Sequence, residues 1–166
     1  MKLMFEKSIP KKRKSMADYT KKRIVRGVGL KKKKKTTKLP PKINVKKLRK
    51  DCVDLAKLVA KTRDQFIDQR SWQKVEGSNC HGSHIIPVSH GNALKYDPEN
   101  IITLSYHNHI NWWHKNPIEA YEWFKAKFPK RYKYVMARKD NIVKYSVDDL
   151  LAIKAKLEKQ LKKYNE

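Results

Sequence analysis

The sequence predicts an α+β fold, mainly helical, with a small two-stranded insert and a disordered basic arm ahead of it. Three observations carry that expectation. Positive charge is concentrated before residue 51, apolar residues recur at helical spacing in several later segments, and all six histidines lie between Ser71 and Asn116. The expected organisation is an arm over 1–42 and one domain over 43–166. Within that domain the pattern predicts a leading helix over 43–69, a strand-loop-strand-helix motif over 71–116, helices over 117–138 and a closing helix over 146–164.

The chain has 166 residues and a formal net charge of +25. Residues 1–50 hold 21 Lys/Arg against 2 acids, so most of the excess belongs to the arm. Its clusters, Lys11-Lys12-Arg13-Lys14, Lys21-Lys22-Arg23 and Lys31-Lys32-Lys33-Lys34-Lys35, repel one another and offer no apolar surface from which to build a core. Lysines docked on phosphates release counterions, so Lys11–Lys14 and Lys31–Lys35 are the expected DNA contacts. Pro10–Lys14 also fits a nuclear-localisation pattern, which would matter only in a eukaryotic host. No apolar run reaches the roughly 18 residues of a membrane span, and the first ten residues lack a signal peptide's apolar stretch. The expectation is a soluble protein with no membrane partner. Cys52 and Cys80 are too few for a disulfide framework or a four-cysteine zinc site.

After Pro40-Pro41, the residues Val45, Leu48, Cys52, Leu55, Val59, Thr62 and Phe66 form one stripe of a long helix, with most lysines off it. Ser83–Val88 and Asn100–Leu104 are short β-compatible runs, joined by a loop holding Gly91-Asn92 and Asp97-Pro98. Tyr106–Lys115 can form a helix. Asn116-Pro117-Ile118-Glu119 reads as the start of another, with Asn as N-cap and Glu reaching back. Ile118, Ala120, Tyr121, Phe124 and Phe128 are its expected apolar face, ended by Pro129. Ser146-Val-Asp-Asp149 resembles a capping box with Asp in the Glu position, opening a helix with Leu150, Ile153, Leu157 and Leu161 on one face.

The histidines carry the chemistry. His81-Gly-Ser-His84-Ile-Ile-Pro, Asn100 before the second run, and His107-Asn-His109 opening a helix suggest a ββα-metal core flanked by the long helices. In that reading His84, ending the first strand, is a general base for water, and Asn100 holds its backbone and ring. His81 and His109 hold one divalent cation against a scissile phosphate. Ser83, His107 and His114 are further candidates for phosphate or metal contact. His114, five residues after His109, falls off the same face of an α-helix. Cys80, His81, His107 and His109 have the right residue types for a zinc site of their own, at a spacing that matches no common pattern. His90 reads as a surface or DNA-facing residue.

The stretch Ser83–Asn116, SHIIPVSHGNALKYDPENIITLSYHNHINWWHKN, resembles the HNH endonucleases, and more particularly the lambdoid-phage Rap (NinG) recombination nucleases. The basic N-terminal region, leading helix and closing helix Tyr145–Lys162 occur in the same order. The resemblance implies a metal-dependent DNA endonuclease of phage recombination, acting on branched or flap DNA in the cytoplasm of an infected bacterial host. A homodimer would suit an enzyme that cuts two strands. Within the same chemistry the alternative is a homing or nicking HNH enzyme; from another class it is a non-catalytic nucleic-acid-binding protein on a degenerate HNH scaffold.

Two departures from that family stand out. His81 occupies the place of a metal-binding residue that is usually Asp, and Ser83 the place where an acid often precedes the base. Replacing carboxylate by imidazole tilts preference from Mg or Mn, the expected ions, towards Ni or Zn. The paired CxxC motifs that hold a structural zinc in many relatives are missing, since Arg70–Val75 and Ser105–Asn108 contain no cysteine. The structural zinc is therefore expected to be absent, with Trp72, Trp112, Trp113 and Trp123 as its replacements in the core. Deleting residues 1–40 should flatten the log–log salt dependence of DNA binding; an unchanged slope would mean that the arm neutralises no phosphates.

Overall fold

The computed structural model describes residues 43–166; the arm and its lysine and arginine clusters lie outside the described residues. The architecture is α+β and mainly helical, with one two-stranded antiparallel sheet. Helix α1 spans Val45–Arg63 and is capped by Asn44, whose side chain accepts from Lys47 N at 3.0 Å. Its buried face, Leu48, Cys52, Ala56, Val59 and Ala60, follows the predicted spacing, and the two alanines let neighbouring chain approach closely.

The helix stops six residues earlier than expected, at Arg63 rather than Gln69. Gln65 and Phe66 take left-handed backbone at φ 54° and 56°, and Phe66 is partly exposed. Two carboxylates redirect the chain. Asp64 Oδ2 accepts from Thr103 N at 3.0 Å, tying the helix end to the second strand. Asp68 is fully buried: its Oδ1 accepts from Arg70 N and Ser71 N, its Oδ2 from Ser105 N and the Asn108 side chain, all within 3.0 Å. Burial alone would raise the Asp68 pKa, but the hydrogen bonds from Ser105, Ser71 and Asn108 outweigh it and hold the carboxyl below its usual range.

Strand β1 is Cys80–His84 and β2 is Ile101–Ser105, in register Cys80↔Ser105 through His84↔Ile101. Both differ from the predicted runs, β1 by starting three residues sooner and leaving the ladder after His84. Ile85 N still donates to Asn100 O, but Ile86 is taken by the Asn100 side chain, and Pro87 has no N–H to offer a ladder. The turn before β2 is gripped from two helices. Arg63 Nη1 and Nη2 donate to Pro98 O and Ile101 O, both at 2.8 Å, while Arg131 Nη2 donates to Glu99 O and Ile101 O. Burial, with the Arg63 charge acting the same way, pushes the Arg131 pKa down to about 10.

After β2 the chain forms a π-helix over Asn108–Trp113, then α2 (Pro117–Lys127), α3 (Pro129–Met136) and α4 (Val147–Asn165). Pro117 and Pro129 each sit in a first turn, where no N–H is needed. Asn116 makes no side-chain cap, and Glu119 does not reach back: it accepts from Trp112 Nε1 at 2.8 Å and faces Arg70 at 3.5 Å. Ile118 is 83% exposed and is no part of the core face. The α4 capping box forms as predicted, with Ser146 N donating to Asp149 Oδ2 and Asp149 N to Ser146 Oγ.

One apolar cluster gathers Ile85, Ile86, Leu94, Ile102, Leu104, Trp112, Trp113 and Phe124. Others join α1 to α4 and to Ile101 and Tyr96. Trp112 and Trp113 are buried and Trp123 packs against them, as expected of core residues; Trp72 is 59% exposed, beside Lys127, and is not part of that core. Asp68→Ala strands four donors, one buried and three part-buried, and should cost on the order of 3–5 kcal/mol in denaturant unfolding. In wild type the carboxylate's contribution is complete above its unfolded pKa of about 3.9 and fades as pH falls towards the lower folded value, so Asp68→Asn should blunt acid unfolding. A loss below about 1 kcal/mol for Asp68→Ala would contradict its role as a cross-link.

Candidate functional site

His84 ends β1 and is half-buried. Its Nε2 lies 3.1 Å from Lys95 O. A carbonyl has no proton to give, so Nε2 carries the ring proton and Nδ1 keeps its lone pair. Burial pushes the His84 pKa below its ordinary range. The Lys57 and Lys95 ammonium groups act the same way, against the hydrogen bond to Lys95 O. A ring that is neutral at pH 7 with a free Nδ1 can accept a proton.

Asn100 is buried at the end of a 3₁₀ turn, Pro98–Asn100. Its Oδ1 accepts from Ile86 N at 2.8 Å, and its Nδ2 donates to Ile86 O at 3.0 Å and Leu94 O at 3.3 Å. It therefore latches the backbone on both sides of the loop after His84. The expectation that it also holds the ring is corrected: Lys95 O does that, and Asn100 is a positioning residue, closed off from any substrate.

The structure brings His81, His109 and His114 together. His81 Nδ1 lies 2.9 Å from His109 Nδ1, and His109 Nε2 lies 3.0 Å from His114 Nε2. His114 was expected off the His109 face. The π-helix is the reason it is not: His114 N donates to His109 O, five residues back, so residues five apart stack and the two rings meet at 4.7 Å. His81 Nε2 faces Ser78 O at 2.9 Å and so carries that ring's proton. With the rings neutral, one hydrogen-bond order follows: His109 Nδ1–H donates to His81 Nδ1, and His114 Nε2–H donates to His109 Nε2. Burial, then the charges of His114, His81 and Lys57, push the His109 pKa down to about 4, so it sits neutral in the middle.

Ser83 is 1% exposed, and its Oγ has no hydrogen-bond partner among the described residues; it is not open to an incoming phosphate. His107 is exposed at the helix start and makes none of these contacts, and His90 is exposed. Cys80 is buried, its thiol pKa raised by burial, and it does not join the histidines. Among the described residues no three His, Cys, Asp or Glu side chains converge on one point. A cation between His81 and His109 would thus have two protein ligands. Two nitrogens each about 2.0–2.1 Å from one ion and cis to each other sit about 3 Å apart, close to the observed spacing. His81 presents its lone pair there already. His109 would have to move its proton to Nε2, and His114 would then have to accept it.

Lys57 is one of the lysines that the sequence places only as off the α1 stripe. It crosses Gly82, where a Cβ would come within 3.2 Å of Lys57 Cβ and Cγ, and its charge acts on both His84 and His109. Its place midway along α1, one helical turn after Val53, carries no motif, so no sequence signal marked it.

No helix among the described residues is long and apolar enough to cross a membrane. No family model, no curated protein and no solved structure matches the chain.

Proposed function

We propose that the chain is a metal-dependent DNA endonuclease of the HNH type, its hairpin and π-helix forming a ββα-metal unit that hydrolyses phosphodiester bonds. The observation that carries this reading is the His84 ring: neutral, tethered through Nε2 to Lys95 O, and free at Nδ1. Asn100 keeps the loop under that ring in place, so Nδ1 is aimed by packed backbone rather than by a mobile side chain. His84 takes the proton of the attacking water. Lys57 offers a positive charge beside the same strand for the non-bridging phosphate oxygens.

His81 and His109 are the residues that would hold one divalent cation, which when bound supplies Lewis-acid stabilisation of the phosphate charge. His114 sets the protonation of His109 from behind. The donor set is imidazole without carboxylate, which suits Ni or Zn better than Mg or Mn. Branched or flap DNA in phage recombination, within an infected bacterial cytoplasm, is the substrate and setting proposed on the resemblance; a homodimer is proposed only as the simplest way to cut two strands. The basic arm, with Lys11–Lys14 and Lys31–Lys35, is proposed to supply backbone affinity without reading bases.

The second reading, a nucleic-acid-binding protein without catalysis, is favoured by one observation. His81, His109 and His114 already satisfy one another, and no carboxylate bonds to them among the described residues.

A cleavage assay with Mg²⁺, Mn²⁺ and Ni²⁺ on linear, flap and four-way DNA separates the two. His84→Ala should lose about 10²–10⁴-fold in rate while binding DNA as wild type does. Equal rates for both proteins would remove His84 as the base; tight binding with no cutting by wild type under any of the three ions would favour the binding protein.

A further inference from the structure

The loop after His84 does more than carry Lys95. Its Asn92 is sewn to the segment before α4: Nδ2 donates to Val143 O at 2.7 Å, and Val143 N donates to Oδ1 at 2.6 Å. Ala93 N donates to Asn141 O, and Tyr145 Oη donates to Ala93 O at 3.1 Å. The two segments approach so closely that a Cβ at Gly91 would lie 2.4 Å from Lys139 O and 2.9 Å from Asn141 O, so only glycine fits. This seam forms one wall of a groove of about 330 Å³, and Arg49 on α1 stands on the other side.

Three cationic side chains, Arg49, Lys95 and Lys144, line that groove together with Tyr96 and Tyr145, and no carboxylate does. None of the three cations makes an ion pair among the described residues. Tyr96 is buried and stacks edge-on against Tyr145 at 5.2 Å, so the floor is rigid. Lys95 belongs to both places. Its carbonyl tethers the His84 ring and the residue also lines the groove, so the groove adjoins the loop that holds that ring.

We infer that this groove seats the phosphodiester backbone of the DNA strand immediately beside the bond to be cut, with Arg49, Lys95 and Lys144 taking its phosphates. The inference rests on the nuclease reading for its partner. Three cations that make no ion pair among the described residues, beside the packed Tyr96–Tyr145 pair, suit a chain of regularly spaced anions, and the shared Lys95 places that chain next to the loop that holds the His84 ring.

The test uses the full chain in EDTA, comparing wild type with Arg49→Ala/Lys144→Ala and with the charge-keeping Arg49→Lys/Lys144→Arg. DNA affinity is measured against salt concentration. Removing two phosphate contacts should reduce the log–log slope by about 1.4 for a single strand or about 1.8 for a duplex, and the charge-keeping pair should retain it. In a second arm, single methylphosphonates beside the mapped cut should weaken wild type and leave the alanine pair indifferent. An unchanged slope in the alanine pair overturns the groove, as does a poly-glutamate peptide that displaces DNA from wild type but not from the alanine pair, which would make the groove a dock for acidic protein. Failure of wild type to cleave would instead strike the nuclease reading, while the salt slope still decides whether the groove holds DNA.

Discussion

Asp68 carries a carboxylate with no access to solvent, and its four hydrogen bonds join three stretches of chain that would otherwise have no reason to meet. They are the turn after α1, the end of β2 and the first residue of the π-helix. Arg70 extends the network by donating to Asn108 Oδ1 and lying 3.8 Å from the centre of the Trp112 ring. The two neighbourhoods it connects lie around Arg70 and around Ser105–Asn108. A buried charge held by donors from both sides is one way to fasten a small hairpin to the helix that follows it. It is also a fragile one, because the loss of one group exposes the rest of the network.

Asp68 fixes the open end of the hairpin and Asn100 the end at the loop. Between them β1 is held in a single register, and the register sets where His84 sits: a one-residue slip would carry it to the opposite face. Arg63 and Arg131, reaching from α1 and α3 to the carbonyls of the turn before β2, keep Asn100 at the right height. The histidines themselves contribute little to this frame. They stand on structure that other residues hold.

Much of this was legible in the sequence, for reasons that can be named. Helical spacing marked α1 because its stripe is buried by both α4 and the hairpin, and the Ser146–Asp149 box marked the start of α4 because a cap is decided locally. The meeting of His81 and His109 was legible because their order along the chain mirrors the strand-turn-strand-helix path. What escaped was decided by contacts distant in sequence. Asp64 and Asp68 end α1 early through bonds to residues nearly forty positions on. Glu119, which has the form of a cap, is drawn off by Trp112 and Arg70. His114 was misplaced because an α-helical period was assumed where the backbone is a π-helix, and Lys57 was missed because nothing local separates it from the other lysines of α1.

The site that results is cationic around neutral imidazoles: Lys57 and Lys95 beside His84, with Arg49 and Lys144 further along the groove. Burial first, and then the Lys57 and Lys95 charges, hold the His84 pKa below its ordinary range, and on the proposed function the same charges would attract a phosphodiester. Everything then depends on which nitrogen of His84 is bare. Nitrogen-15 NMR of the full chain reads this directly. The account predicts a His84 ring protonated at Nε2 and unprotonated at Nδ1, titrating below the ordinary histidine value of about 6.5. A ring protonated at Nδ1, or one that titrates above that value, would contradict it.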